Sequence, residues 1–317
     1  MVDGMLGKLT ALWRFPVKSM QGERLQSLTV QTGGVVGDRA YALIDIESGK
    51  VVSAKSAKLF PTVLQLRAEF VQAPVANAPT PVVRIVLPDG TSIDSDSGTA
   101  NQKLSAWFKR DVRLAQSAPE DFTIDMQQPE VGRGDAAGDQ GTTGTTGTTG
   151  TTGTTGTTGT TVQQQLGAAL FASLGVNSPV PAGSFLDLYP MSVLTTATLA
   201  QLSSLAPRSS IDARRFRMNA IIDTHGSAAD SGFAENAWTG VQLRCGADVA
   251  LRIAMPDPRC VMVTLQQDDL DADMEVLRAL QQHNRIQTAW GELPCAGAYA
   301  AVEAEGVMRV GDLVVRA

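Results

Sequence analysis

Apolar and polar positions alternate in short runs over the first part of the chain. "KLTALWRFPV" and "RLQSLTVQ" mix β-branched and apolar residues, which predicts strands. "GGVVGDRAYALIDIESGKVVSAK" predicts a strand, a turn at Ser48-Gly49 and a short return strand. "VLQLRAEF" and "PVVRIVLPDGTSI" follow, the latter with Asp89-Gly90 as a hairpin turn. The period then changes: Leu104, Trp107 and Phe108 in "GTANQKLSAWFKR" lie one helical turn apart and predict an amphipathic helix. Short strands with regular turn signals point to a small barrel or a sandwich.

The second half is mixed. "SVLTTATLAQLSSL" sets Leu199, Leu202 and Leu205 on one face and predicts a helix. "IDARRFRMNAIIDT" reads as a turn or short helix running into a strand. "VQLRCGADVALRIAMP" reads as two strands around a Cys-Gly-Ala-Asp turn, and "RCVMVTL" as a strand with Cys260 at its start. Met274, Leu277 and Leu280 predict a further helix, with Asp271 as its N-cap. "GAYAAVEAEGVMRVGDLVV" predicts a closing hairpin and a final strand. Between the halves, residues 141–161 are seven copies of Gly-Thr-Thr. No side chain there can build a core, so residues 116–162 are expected to form a flexible insertion, a neutral expansion that a loop tolerates cheaply.

Composition narrows the classes. With 317 residues and 43 % hydrophobic positions, the chain can bury a sizeable core in one large domain or two. A net charge of −6 disfavours nucleic acid as a partner. No apolar run is long enough to span a membrane, and the N-terminus reads as lacking a signal peptide, so the cytoplasm is the expected compartment. Three widely spaced cysteines (Cys245, Cys260, Cys295) do not make a disulfide framework, and no CxxC pair offers a zinc ribbon or an iron–sulfur cluster. Two histidines, His225 and His283, rule out a three-histidine zinc site; both are expected at the surface. Cys245 and Cys295 are expected to be structural thiols, one in a turn and one in the loop "ELPCAGAY". Glu235, Asn236 and Trp238 could lie on a substrate side, although a Trp before Gly-Val more often packs in a core. The acidic run "QQDDLDAD" reads as a helix start, or as a docking face for a donor protein.

Cys260 stands apart. "PDPRC" stiffens the approach with two prolines and sets Arg259 beside the thiol. A neighbouring cation favours thiolate, which is a nucleophile or a soft metal ligand; the commoner role of a free cysteine is that of a small buried hydrophobe. Lys18, Arg39, Arg217 and Arg259 each adjoin a predicted strand end or turn. They could converge on an anion such as a phosphate, or be solvated surface charges.

The pieces "WRFPVKSMQGERL", "GVVGDRAYALID", "FLDLYPMSVLTTATLAQL", "RRFRMNAIID", "FAENAWTGVQLRCGADVALRI", "PRCVMVTLQQDDLDAD" and "GAYAAVEAEGVMRVGD" occur in an order that resembles one family. This is the family with a MOSC N-terminal β-barrel region followed by a MOSC domain, and within it the mitochondrial amidoxime-reducing components and their bacterial counterparts. One departure is Met218, where the family's arginine motif carries proline; Arg217 and Asn219 are kept.

The resemblance implies a mixed α/β, predominantly β fold of two barrel-like units with peripheral helices. The expected division is 1–115 for the N-terminal region, 116–162 for the insertion and 163–317 for the MOSC domain. It implies a molybdenum cofactor (a molybdopterin) with Cys260 as catalytic metal ligand. Lys18, Ser19, Arg39, Arg217, Asn219, Arg259 and Tyr299 would contact the pterin and its phosphate, and the segment from Tyr189 to Ser192 would line it. The cleft between the units is the expected place, since these residues come from both ends of the chain. The implied activity is reduction of N-oxygenated small molecules (N-hydroxylated bases, amidoximes, hydroxylamines), with oxygen transfer to Mo(IV). Electrons would come from a separate flavin, iron–sulfur or haem protein, as this chain has no cluster cysteines. The rivals are a sulfur carrier with a persulfide on Cys260, and a carrier of the cofactor without turnover.

Overall fold

A computed structural model describes residues 4–127, 161–227 and 229–317. Strands dominate, and four α-helices pack at the periphery of the described residues. Seven strands close on themselves. In spatial order they are Met191–Thr195, Ala220–Asp223, Met5–Arg14, Leu313–Arg316, Gln242–Cys245, Val249–Pro258 and Gly291–Ala304, and the last pairs back onto the first. Closure removes the free edges that an open sheet would expose. The interior holds alternate side chains of each strand, among them Leu9, Val193, Ile222, Leu243, Leu251 and Ala300, all essentially inaccessible. The first strand of the chain is therefore a stave of the barrel built mainly from the last third of the sequence.

After that strand the chain leaves the barrel and builds a second core. Two small sheets, Ala42–Asp45 with Val112–Ala115 and Arg67–Phe70 with Val83–Val86 and Ser92–Asp94, wrap Leu43, Leu64, Leu66, Val83 and Ile85. The predicted amphipathic helix is Ala100–Phe108, and it seats Leu104 in this core. The Asp89-Gly90 turn forms as expected, with Gly90 at φ +86°. A predominantly β fold with peripheral helices is what the pattern and the resemblance led us to expect.

Several local expectations are corrected. "RCVMVTL" is not a strand: the long strand ends at Pro258, and Val261–Thr264 forms a 3-10 turn. Cys260 thus follows a strand instead of starting one. Pro256 and Pro258 lie inside the strand at irregularities in its register with Gly291–Ala304, where a missing N–H costs no ladder bond. The Leu-rich segment is a strand, Met191–Thr195, before it is a helix, Thr196–Leu205; the Thr195 side chain caps the helix by accepting from the Thr198 N–H. The last helix, Glu275–His283, is led by Asp273, whose carboxylate accepts from the Glu275 N–H at 2.9 Å; Asp271 is not its cap. The "closing hairpin" does not form, because Gly306–Arg309 pairs with Ser27–Gln31 from the start of the chain. Cys245 ends a strand and Cys295 lies within one, each fully buried, where a turn and a loop were expected. Most of the 116–162 segment, including the Gly-Thr-Thr run, lies outside the described residues. Its ends pair as an antiparallel ribbon, Thr123–Gln127 with Thr161–Gln165.

Candidate functional site

Where the barrel meets the second core, the chain segments "RFPVKSM" and "GDRAY" are clamped together by backbone hydrogen bonds. The Lys18 N–H donates to the Tyr41 carbonyl at 2.8 Å, and the Arg39 N–H to the Phe15 carbonyl at 2.7 Å. Asp38 is the hub of this clamp. One carboxylate oxygen accepts from the Phe15 N–H at 2.7 Å, and the other from the Asn219 amide at 3.0 Å and from Arg39. On the barrel side, Asn219 Oδ1 accepts from both the N–H and the hydroxyl of Ser192 at 3.1 Å. Ser192 sits opposite Tyr299 on the neighbouring strand of the barrel. Gly297 permits this packing: a β-carbon there would lie 2.6 Å from the Val193 carbonyl, and Met218 fills the adjacent space.

These segments enclose a narrow cleft of about 70 Å³ whose wall includes Lys18, Ser19, Arg39, Lys55, Asp187, Tyr189, Ser192, Arg217, Asn219, Asp257, Arg259 and Tyr299. Of the expected pterin-side residues, Lys18, Ser19, Arg39, Tyr189, Ser192, Arg217, Asn219, Arg259 and Tyr299 are on that wall, whereas Pro190 and Met191 of the expected segment are not. Cys260 is not a wall residue. It lies half-buried immediately after Arg259. A roomier groove of about 480 Å³, lined by Trp13, Glu23, Arg24, Arg67, Glu69 and Asp268 among others, shares only Arg217 with the cleft. Its charged rim is largely exposed.

Seven non-glycine residues among those described have positive φ, and three of them are Ser19 (65°), Arg39 (47°) and Arg217 (54°). Side chains rarely hold this conformation without compensating contacts, and such residues gather at functional sites. Here the contacts are visible. Ser19 Oγ accepts from the Ala54 N–H at 3.0 Å, and Arg39 Nη2 donates to the Arg217 carbonyl at 3.1 Å. The guanidinium groups of Arg39 and Arg217 lie 4.5 and 4.4 Å from the centre of the Phe15 ring.

The wall carries five cations, Lys18, Arg39, Lys55, Arg217 and Arg259, against two carboxylates, Asp187 and Asp257. Burial pulls the Lys18 pKa down to about 8 in spite of Asp187, and burial with the nearby Arg39 pulls Arg217 down to about 9. Burial pushes Asp257 up to about 6, opposed by Arg259. Tyr299 is raised well above the usual phenol range by burial and by Asp257. Arg259 bonds Asp257 and the Phe216 carbonyl (2.7 Å), while its Nε is buried without a partner. A buried donor left unpaired, and cations in excess where water is scarce, are costly unless a ligand completes them. The arrangement therefore suits a polyanion.

A soft, partly accessible thiol beside that anion site fits a metal carried by a sulfur-rich anionic cofactor. Among the described residues no group of three or more His, Cys, Asp and Glu side chains could hold a metal by itself. The other two thiols are fully buried, and burial pushes Cys245 and Cys295 each up to about 12. His225 and His283 are exposed, and Trp238 lies in the barrel core. Glu235 is fully buried against the hydroxyls of Thr195 (2.9 Å) and Thr198 (2.7 Å), away from the cleft. The residues that sequence reasoning missed are Asp38, Lys55, Asp187 and Asp257.

Two family models match this architecture, the MOSC N-terminal beta barrel domain over residues 6–120 and the MOSC domain over residues 182–315. The chain belongs to the MOSC-domain proteins that carry a MOSC N-terminal β-barrel region, a family related to the molybdenum cofactor. It is similar to mitochondrial amidoxime-reducing component 1 of Mus musculus, with 33% identity over 136 residues, 41% of this chain and 37% of that protein. The Homo sapiens protein of the same name is 29% identical over 136 residues, 41% of this chain and 38% of that protein. The matched stretch thus spans well under half of either relative. Among solved structures, the YUAD protein from Bacillus subtilis covers 97% of this chain and 93% of its own, with a TM-score of 0.39 and 10% identity. YiiM from Geobacillus stearothermophilus covers 40% and 54%, with a TM-score of 0.28 and 14% identity. Likenesses at that level decide nothing further. Among the described residues, no helix is long and apolar enough to cross a membrane.

Proposed function

We propose that this chain is a molybdenum-cofactor-dependent reductase of N-oxygenated compounds, namely N-hydroxylated bases, amidoximes and hydroxylamines. Cys260 is the protein's ligand to the metal, and the cations of the cleft hold the pterin and its phosphate. The division of the chain into 1–115, 116–162 and 163–317 belongs to the same proposal, with the cleft between the first and last parts. One observation carries the reading: a half-buried thiol stands next to a cleft in which five cations, three of them buried, face two carboxylates. The names of the curated relatives support the choice of reaction.

When bound, the cofactor supplies removal of an oxygen atom from an N–O bond with two electrons. The chain's own residues do the rest. Arg217 and Arg259 present fixed donors to an anionic tail, and Arg offers the planar fork that suits a phosphate. Asp38 sets the orientation of Arg39 and Asn219. Burial and the nearby Asp257 hold the Tyr299 phenol well above its usual range, so it keeps its proton through the neutral range. Each N–O bond reduced consumes two electrons and two protons and releases water. The electrons come from a separate flavin, iron–sulfur or haem protein, as the names of the relatives suggest. Molybdenum-loaded protein given reduced methyl viologen should convert benzamidoxime to benzamidine. Loaded protein that yields none is a cofactor carrier, and metal-free protein releasing cyanolysable sulfur is a persulfide carrier.

A further inference from the structure

The sequence reading assigns no site role to Lys55 or Asp187, although Asp187 stands in "FLDLYP", yet together with Lys18 they form a cluster of three charged side chains in the cleft. Asp187 reaches in from the segment before the first MOSC-side barrel strand. One of its oxygens accepts from Lys18 Nζ and the other from Lys55 Nζ at 3.2 Å. Lys18 also donates to the Phe185 carbonyl at 3.0 Å. The two lysine side chains are 7 % and 13 % exposed, so neither charge is relieved by bulk water. Burial would raise Asp187, but Lys18 and Lys55 hold it well below the usual carboxylate range. Burial would lower Lys55, but Asp187 and then Cys260 hold it above its ordinary value. One carboxylate thus serves two ammonium groups, and a positive charge is left over beside it.

Resting on the cofactor reading above, we infer that Lys55 is a further anion-binding residue of the cleft and that Asp187 is its internal counter-ion, which an anionic ligand displaces. A volume of about 70 Å³ is that of a few water molecules, so a phosphate-bearing ligand enters only as wall side chains turn aside. The Asp187 carboxylate is the wall group that an incoming anion can replace, because it holds the same two ammonium groups that anion would seek. Counting Asp38, which pairs with Arg39, the five cations of the wall exceed the ionised carboxylates by two, and Lys55 accounts for one of these. The occupant it fits is a polyanion, as a phosphate ester joined to a sulfur-rich metal chelate is.

Pyrophosphate is the probe, titrated calorimetrically into the purified full chain at pH 7 and low salt. Lys55→Met should weaken its binding by roughly tenfold or more, Lys55→Arg should stay within about threefold of the parent, and Asp187→Asn should tighten it. A purely structural role for Lys55 would lower the melting temperature of Lys55→Met without moving the affinity of the folded protein. Equal affinity in Lys55→Met and the parent, or weaker binding in Asp187→Asn, overturns the inference. Molybdenum content separates this result from the reading it rests on. Parent protein that carries molybdenum while Lys55→Met carries as much overturns the role of Lys55 alone. Parent protein that takes up neither pyrophosphate nor molybdenum overturns both.

Discussion

Arg215 and Arg217 stand two residues apart in "RRFRMN", and both are buried, yet they are different kinds of residue. Arg215 spends its donors on backbone carbonyls: Nε on Ser210 (2.9 Å), Nη2 on Asp271 (2.8 Å), and Nη1 on Val263 and Leu265 at 3.5 and 3.4 Å. It ties the 3-10 turn Ala213–Phe216 to the segment after Cys260. Arg217 sits in a left-handed conformation with a single side-chain hydrogen bond, to the Met20 carbonyl, and shares the Phe15 ring with Arg39. Burial alone does not separate structure from function. What separates them is whether the protein itself satisfies the buried charge.

The comparison breaks most readily on stability. Arg215→Met should cost about 3 kcal/mol or more in denaturant unfolding, because several buried carbonyls lose their donor at once. It should leave pyrophosphate affinity in the folded protein within about twofold. Arg217→Met should do the reverse, costing about 1 kcal/mol or less in stability because an uncompensated buried charge is removed, while weakening pyrophosphate by roughly tenfold. Equal stability losses in the two variants would dissolve the distinction.

A smaller effect is expected from pH. Lys18 loses its proton near pH 8 in the folded chain but near 10.5 when unfolded. Between those values the unfolded state binds more protons, so this group makes the protein more stable as pH rises through the window. Anion affinity runs the other way, because the same proton loss removes a cation from the cleft. Pyrophosphate binding should weaken above pH 8 while the unfolding free energy gains from Lys18, and Lys18→Met should remove that gain. Affinity that is flat from pH 7 to 10 would place Lys18 outside the anion site.

Periodicity made much of the barrel legible, because alternation reports a half-buried strand wherever one face meets a core. It failed where backbone chemistry outweighs pattern. The run after Cys260 is β-branched and reads as a strand, but Pro258 and the turn back toward Arg215 impose a 3-10 conformation. Closure of the barrel by the first strand was illegible too, since nothing local in "KLTALWR" says which distant strand it will pair with. The candidate cleft was read through its cations and its thiol. Its carboxylates were passed over, although Asp257 stands in "PDPRC" itself, Asp38 in "GDRAY" and Asp187 in "FLDLYP". Acidic residues are ordinary on a surface, and only the fold shows that these three are turned inward against lysine and arginine. Lys55, in "SAKSAKLF", carried no pattern at all.

The central claim is that one thiol holds molybdenum at the cleft, and elemental analysis addresses it most directly. Protein produced in a host that makes the cofactor should carry about one molybdenum per chain, Cys260→Ser should carry only background, and Cys245→Ser and Cys295→Ser should keep the metal wherever they fold. Full molybdenum content in folded Cys260→Ser, or none in the parent protein, would contradict the account.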